Sequence, residues 1–84
     1  MPHRLEQGKR VVGLKQTTQV VKENRAEVVY VAKDADERLT GPLMELCRQK
    51  NVEIVMVETM KELGTLCGIE VGASTAAIYD GKEG

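Results

Sequence analysis

Apolar residues along this chain fall into two alternating rhythms, short β-branched runs and longer stretches of helical spacing. Val28-Val29-Tyr30-Val31-Ala32 and Val52-Glu53-Ile54-Val55-Met56-Val57 carry the strand rhythm. Ala73-Ser74-Thr75-Ala76-Ala77-Ile78-Tyr79 is a weaker third run, and Val11-Val12 offers a short fourth. The near-continuous apolarity of the 28–32 run predicts a strand covered on both faces. Between the runs, Gln16 to Asn24 predicts a helix, beginning after Gly13 breaks the preceding strand. Leu39, Leu43, Leu46 and Cys47 follow i, i+4, i+7, i+8 spacing, which predicts a second helix reaching Lys50. Pro42 is tolerated only in a first turn, where amide protons lack partners, so Thr40 is the expected N-cap. Thr59-Met60-Lys61-Glu62 is a capping box that opens a third helix, with Met60, Leu63 and Cys67 inward and Gly68 ending it. Leu5 and its charged neighbours allow a short N-terminal helix, and the tail over residues 79–84 is expected to fray. Strands alternating with helices predict an α/β domain with helices on both sides of a small sheet.

Composition narrows what such a domain does. Eighty-four residues fit one domain spanning 1–84. A chain this short buries only roughly 60 % of its unfolded surface, which excludes a large cleft-bearing enzyme scaffold. With two Tyr, no Phe and no Trp, the core must be aliphatic, and nucleic-acid binding cannot rest on an aromatic stacking platform. Cys47 and Cys67 stand apart without a CxxC, and His3 is the sole imidazole. That excludes a zinc centre and a disulfide framework, leaves buried thiols, and predicts no cofactor or metal. Neither a signal-peptide segment nor a membrane-spanning apolar run is present, so a cytosolic protein is expected.

Net charge is −1, yet residues 1–33 carry seven Lys/Arg against three Glu, and the remainder carries five against ten acids. Either this is chance scatter, or a basic end on an acidic body presents one face to phosphates.

Three segments carry candidate chemistry. In Gly13-Leu14-Lys15-Gln16-Thr17-Thr18-Gln19, a strand gives way to a helix whose free amides and dipole favour phosphate. Lys15 adds a cation there. Gln16 can donate to and accept from a base edge, and Gln19 follows one turn later. An ordinary capped helix start reads the same way. Gly68-Ile69-Glu70-Val71-Gly72-Ala73 places two β-branched residues on a Gly-flanked loop, either as core plugs or as an exposed tip against an unstacked base. Lys33-Asp34-Ala35-Asp36-Glu37 follows the first strong strand, at the edge where open α/β sheets bind ligands. Carboxylates could hold a metal or act as acid and base. Without a neighbouring His, Ser or Cys, a turn with helix-start acids accounts for them.

Together these segments resemble the L-seven-Ae family of kink-turn RNA-binding proteins, especially its short bacterial members. The resemblance covers about residues 4–79. Its blocks are Gly13–Gln19, Val31-Ala32-Lys33-Asp34-Ala35-Asp36, and Lys61-Glu62-Leu63-Gly64-Thr65-Leu66-Cys67-Gly68-Ile69-Glu70-Val71-Gly72. It implies a three-layer α-β-α sandwich on a small mixed four-stranded sheet, and a non-enzymatic protein bound to RNA rather than DNA. The implied target has tandem sheared G·A pairs beside a bulge, in ribosomal or structured regulatory RNA. By matching position, Gly13 precedes the reading helix, Lys15 and Gln16 would read guanine edges, and Gln19 would lie near the backbone. Lys33, Asp36 and Lys61 would flank the RNA, while Ile69, Glu70, Val71, Gly72 and Ala73 would cover a flipped-out nucleotide. Archaeal and eukaryotic members usually have Asn and Glu where Lys15 and Gln16 stand, and the common Lys is Gln19 here. A monomer is expected. The competing readings are a methyltransferase-type substrate-recognition module and a protein-interaction module using the acidic half.

Overall fold

The run read as doubly covered lies inside the sheet: β2 (Ala26–Ala32) has a partner strand on each side and a helical layer on each face. The computed structural model describes residues 9–79. The expected N-terminal helix and tail residues 80–84 lie outside them. Along the described residues the order is β1 (Lys9–Val12), α1 (Leu14–Lys22), β2, α2 (Glu37–Gln49), β3 (Glu53–Val57), α3 (Met60–Leu66) and β4 (Thr75–Tyr79). In space the strands run β1-β4-β2-β3. β1 and β2 pair antiparallel with β4, and β3 pairs parallel with β2. The sheet is therefore mixed. Tyr79, read as the start of a fraying tail, is instead paired with Lys9 and Ala26.

Alternation along the strands separates two cores. Val28, Ala32, Ala76 and Ile78 face α3, where Leu63 and Cys67 are buried. Val29, Val31 and Ala77 face the other side, against Val20 and Val21 of α1 and Leu43 and Cys47 of α2. This is the three-layer α-β-α sandwich. Small alanines at the centre of β4 let the layers approach closely. Both cysteines are free and buried, and burial pushes each thiol above its ordinary range.

Helix ends explain where the sequence reading shifts. α1 starts at Leu14 rather than Gln16, directly after Gly13 at φ 103°, ψ 156°, a conformation essentially reserved for glycine. Asn24 does not continue the helix but turns left-handed beyond it, with φ 61°. Its N–H donates to the Val21 carbonyl and that of Arg25 to Val20, a Schellman termination. Asn51 ends α2 in the same way, and Gly68 ends α3. The N-cap of α2 is Asp36, not Thr40: its carboxylate accepts from the Arg38 N–H at 2.9 Å. Pro42 consequently lies within the helix, beyond its first turn. Thr40 is buried, with its hydroxyl directed at the Asp36 carbonyl. Leu39, expected on the inner stripe, is 55 % exposed in the first turn of the helix. At α3 Thr59 is the N-cap as read, its hydroxyl accepting from the Glu62 N–H.

Candidate nucleic-acid interface

Sheet register brings the three sequence-marked segments to one edge. Because β4 runs against its neighbours, the C-terminal ends of β1, β2 and β3 meet the N-terminal end of β4. Gly13 follows β1, Lys33 follows β2, Thr59 follows β3, and Ala73 precedes β4. Backbone hydrogen bonds stitch these points together. The Gly13 N–H donates to Thr75, Ala32 to Ser74, Lys33 to Val57, and Ala73 to Met60. The Asp34 carboxylate accepts from the Met60 N–H at 2.8 Å, tying the β2–α2 loop to the start of α3.

The three helices start at this edge with different electrostatics. α2 has the Asp36 cap and Glu37 in its first turn, and α3 has Thr59, Asp34 and Glu62. Their dipoles are compensated. α1 has neither a side-chain cap nor an acid in its first turn. The first amide bonded within it is that of Thr17, which donates to the Gly13 carbonyl. The amides of Leu14, Lys15 and Gln16 therefore precede the helical ladder, beside the exposed Lys15 and Gln16 side chains. Such a start can take an anion or an acceptor-rich base edge.

The other marked residues divide. Gln19 is exposed but engaged, donating to the Glu23 carboxylate at 2.8 Å. That bond, ahead of the neighbouring Arg25, holds the Glu23 carboxyl below its ordinary range. Lys33 forms an ion pair with Glu58 at 2.9 Å, exposed on both sides and so weak. Asp36 is occupied with the Arg38 guanidinium and with capping, which in that order lower its carboxyl, and the carboxylate in turn raises Arg38. Lys61 is exposed on α3 and lines a groove of about 540 Å³ beside β3, with Glu58, Glu62 and Thr65.

In the 69–73 loop the two apolar residues part, one toward the core and one toward solvent. Ile69 packs against the α3-side core, whereas Val71 is 71 % exposed. Glu70 and Gly72 are exposed, and Ala73 is buried, so its side chain belongs to the core. Gly64 sets the loop's path. A Cβ there would overlap the Val71 carbonyl, and one at Gly72 would meet Met60 Cβ at 3.2 Å. The sequence reading assigned no role to Asp34 or Gly64, and it placed Met60 on an inner face. Met60 is 37 % exposed, held at both its backbone groups beside the loop. The available signal for Gly64 was a helix-interior glycine, which costs about 1 kcal/mol relative to Ala unless packing needs it.

The basic surplus of the N-terminal third does not lie at this edge. At this edge and its loop, Lys15, Lys33, Arg38 and Lys61 face Asp34, Asp36, Glu37, Glu58, Glu62 and Glu70. Four cations against six carboxylates make it slightly acidic, because folding distributes the N-terminal lysines and arginines over both ends of the sheet. Among the described residues no group of three His, Cys, Asp or Glu is placed to hold a metal, and no helix is long and apolar enough to cross a membrane.

Comparison with known proteins agrees with this architecture. The model of the ribosomal protein L7Ae/L30e/S12e/Gadd45 family matches residues 1–83. An RNA-binding protein of Caldanaerobacter subterraneus is 52 % identical over 74 residues, covering 88 % of this chain and 90 % of that protein. The large ribosomal subunit protein eL8 of Halobacterium salinarum is 40 % identical over 67 residues, covering 79 % of this chain and 56 % of that longer protein. Among solved structures, the 15.5 kD RNA binding protein of Giardia lamblia superposes with a TM-score of 0.84 at 26 % identity, covering 93 % of this chain and 66 % of that one. These relatives are RNA binders and a ribosomal protein by name, not enzymes.

Proposed function

This chain belongs to the ribosomal protein L7Ae/L30e/S12e/Gadd45 family, and we propose that it is an RNA-binding protein that recognises a kink-turn, with tandem sheared G·A pairs beside a bulge. The observation that carries the reading is the start of α1: no cap, no acid, and exposed Lys15 and Gln16 behind a Gly13 that only glycine can replace without strain. Gln16 supplies the base-edge contact, and Lys15 with the free amides supplies phosphate and guanine acceptor contacts. The exposed Val71, on the loop that Gly64 holds close, supplies an apolar surface for a base turned out of the bulge. Lys33, Asp36 and Lys61 flank the same edge, within reach of the stems. RNA of the ribosome or a structured regulatory RNA is the target class, and the protein acts in the cytoplasm as a monomer.

Affinity for a kink-turn RNA and for a fully paired duplex of equal length tests this reading. The kink-turn should bind more tightly, and Gln16→Ala should remove about 1–3 kcal/mol of that preference, the range for a bidentate base contact. Equal affinity for the two RNAs would sink it.

A further inference from the structure

We infer that the end of the sheet opposite the α1 start is a second RNA-contacting surface, which takes the phosphate backbone of a duplex segment without reading its sequence. The inference rests on the RNA-binding reading but on none of its residues. Lys9, Arg10, Lys22, Arg25, Arg48 and Lys50 gather at this end, against Glu23, Glu27, Glu45 and Glu53. Among the described residues that is a surplus of two positive charges, the reverse of the balance at the α1 edge. Arg10 is turned to the end of α3, donating to the Cys67 carbonyl at 2.8 Å, while Lys9, Arg25, Lys50 and Lys22 form a run. Lys9 is registered with Tyr79, and Tyr79 with Ala26. The Arg25 guanidinium stacks over the Tyr79 ring, 5.0 Å from its centroid. Lys50 donates to the Asn24 side chain at 2.9 Å, one residue from Arg25, and Lys22 closes α1 beside them.

Ion pairing leaves more open cations at this end than at the α1 edge. There Lys33 and Arg38 are each matched to a carboxylate, and Lys15 and Lys61 have no ionic partner among the described residues. At the far end Arg25 and Arg48 are matched, but Lys50 holds only a neutral amide, and Lys9 and Lys22 have no ionic partner among the described residues. Three ammonium groups are thus open to an external anion. Two helices end here, and cations beside their last carbonyls complement the helix dipoles. That accounts for Lys22 and Arg48 in the last turns, but not for Lys9 on β1 or Arg25 on the loop after α1. A surface of separated ammonium groups on flexible stems suits phosphates rather than sequence.

The test uses the full chain and a plain RNA duplex without a kink, titrated across a salt series. Wild type is compared with Lys9→Gln/Lys22→Gln/Lys50→Gln and with Gln16→Ala. Each phosphate neutralised contributes about 0.9 to the slope of log affinity against log salt. The triple variant should lose about two to three units of slope and on the order of tenfold in low-salt affinity, while Gln16→Ala keeps both. The double variant Lys9→Gln/Lys22→Gln, which leaves the Asn24 contact in place, should lose about two units if the triple variant fails to fold. Unchanged slopes in a folded variant would overturn the inference and leave the cations as helix-end complements. A wild type that binds duplex and kink-turn equally would sink the kink-turn reading, yet the loss of slope would still decide this one.

Discussion

Gln19 shows how a single side chain's partner changes its expected role. Position alone puts it on the helical face of Lys15 and Gln16, where a lysine would meet a phosphate. In the structure its amide is committed to Glu23, one turn further along α1. A lysine at 19 would inherit that carboxylate as an i, i+4 partner, in the less favourable order, worth only a few tenths of a kcal/mol. It would still be partly neutralised before meeting RNA. Gln19→Lys alone should therefore steepen the salt dependence of RNA binding by less than the unit of about 1 expected for a free cation, and Gln19→Lys/Glu23→Gln should restore that unit. A full unit from the single substitution would mean that Glu23 does not hold the side chain.

Elements reveal two compromises with different causes. Pro42 sits in the interior of α2, where it removes the bond to the Arg38 carbonyl and presses its ring toward it. Gly41 before it carries no Cβ for that ring to strike, which is why the helix continues. Pro42→Ala should stabilise the domain by about 1–3 kcal/mol in urea melts, less than the full helix-interior cost because the unfolded chain regains freedom. A loss of stability would show that the proline ring serves packing. The second compromise is the contact of α3 with the 69–73 loop. Gly64→Ala forces its methyl into the Val71 carbonyl, so the loop must move or the core must open. It should cost about 1–3 kcal/mol and weaken RNA binding. Val71→Asp is its control: the side chain is solvent-exposed, so circular dichroism should stay native while RNA affinity falls. An unfolded Val71→Asp protein would place that residue in the core instead.

At the scale of the whole molecule, stability comes from two small aliphatic cores on either side of one sheet. The described residues contain no ligand cluster, and both cysteines are buried thiols that burial keeps protonated. The melting midpoint should consequently be the same with and without a strong chelator, and independent of protein concentration over a hundredfold range. A midpoint that falls with chelator would reveal a metal site, and one that rises with concentration would reveal an obligate oligomer.

Local chemistry settled the parts of this protein that depend on near neighbours. The β-branched runs specified β2 and β3, the Thr59 cap opened α3, and Gly13 set the boundary between β1 and α1. Those outcomes rest on backbone sterics and capping within a few residues, which the order of side chains determines directly. The start of α2 was misplaced because a proline rule for isolated helices pointed to Thr40, while the Asp36 carboxylate captures the Arg38 amide and caps the helix four residues earlier. Only tertiary structure decided the rest. Strand order brought four separate chain segments to one edge, Asp34 reached across to Met60, and Gly64 let the loop expose Val71 while packing Ile69 against the core. It also divided the basic N-terminal third between opposite ends of the sheet. Charge counted along a chain says nothing about direction in space until the strands have been ordered and their senses fixed.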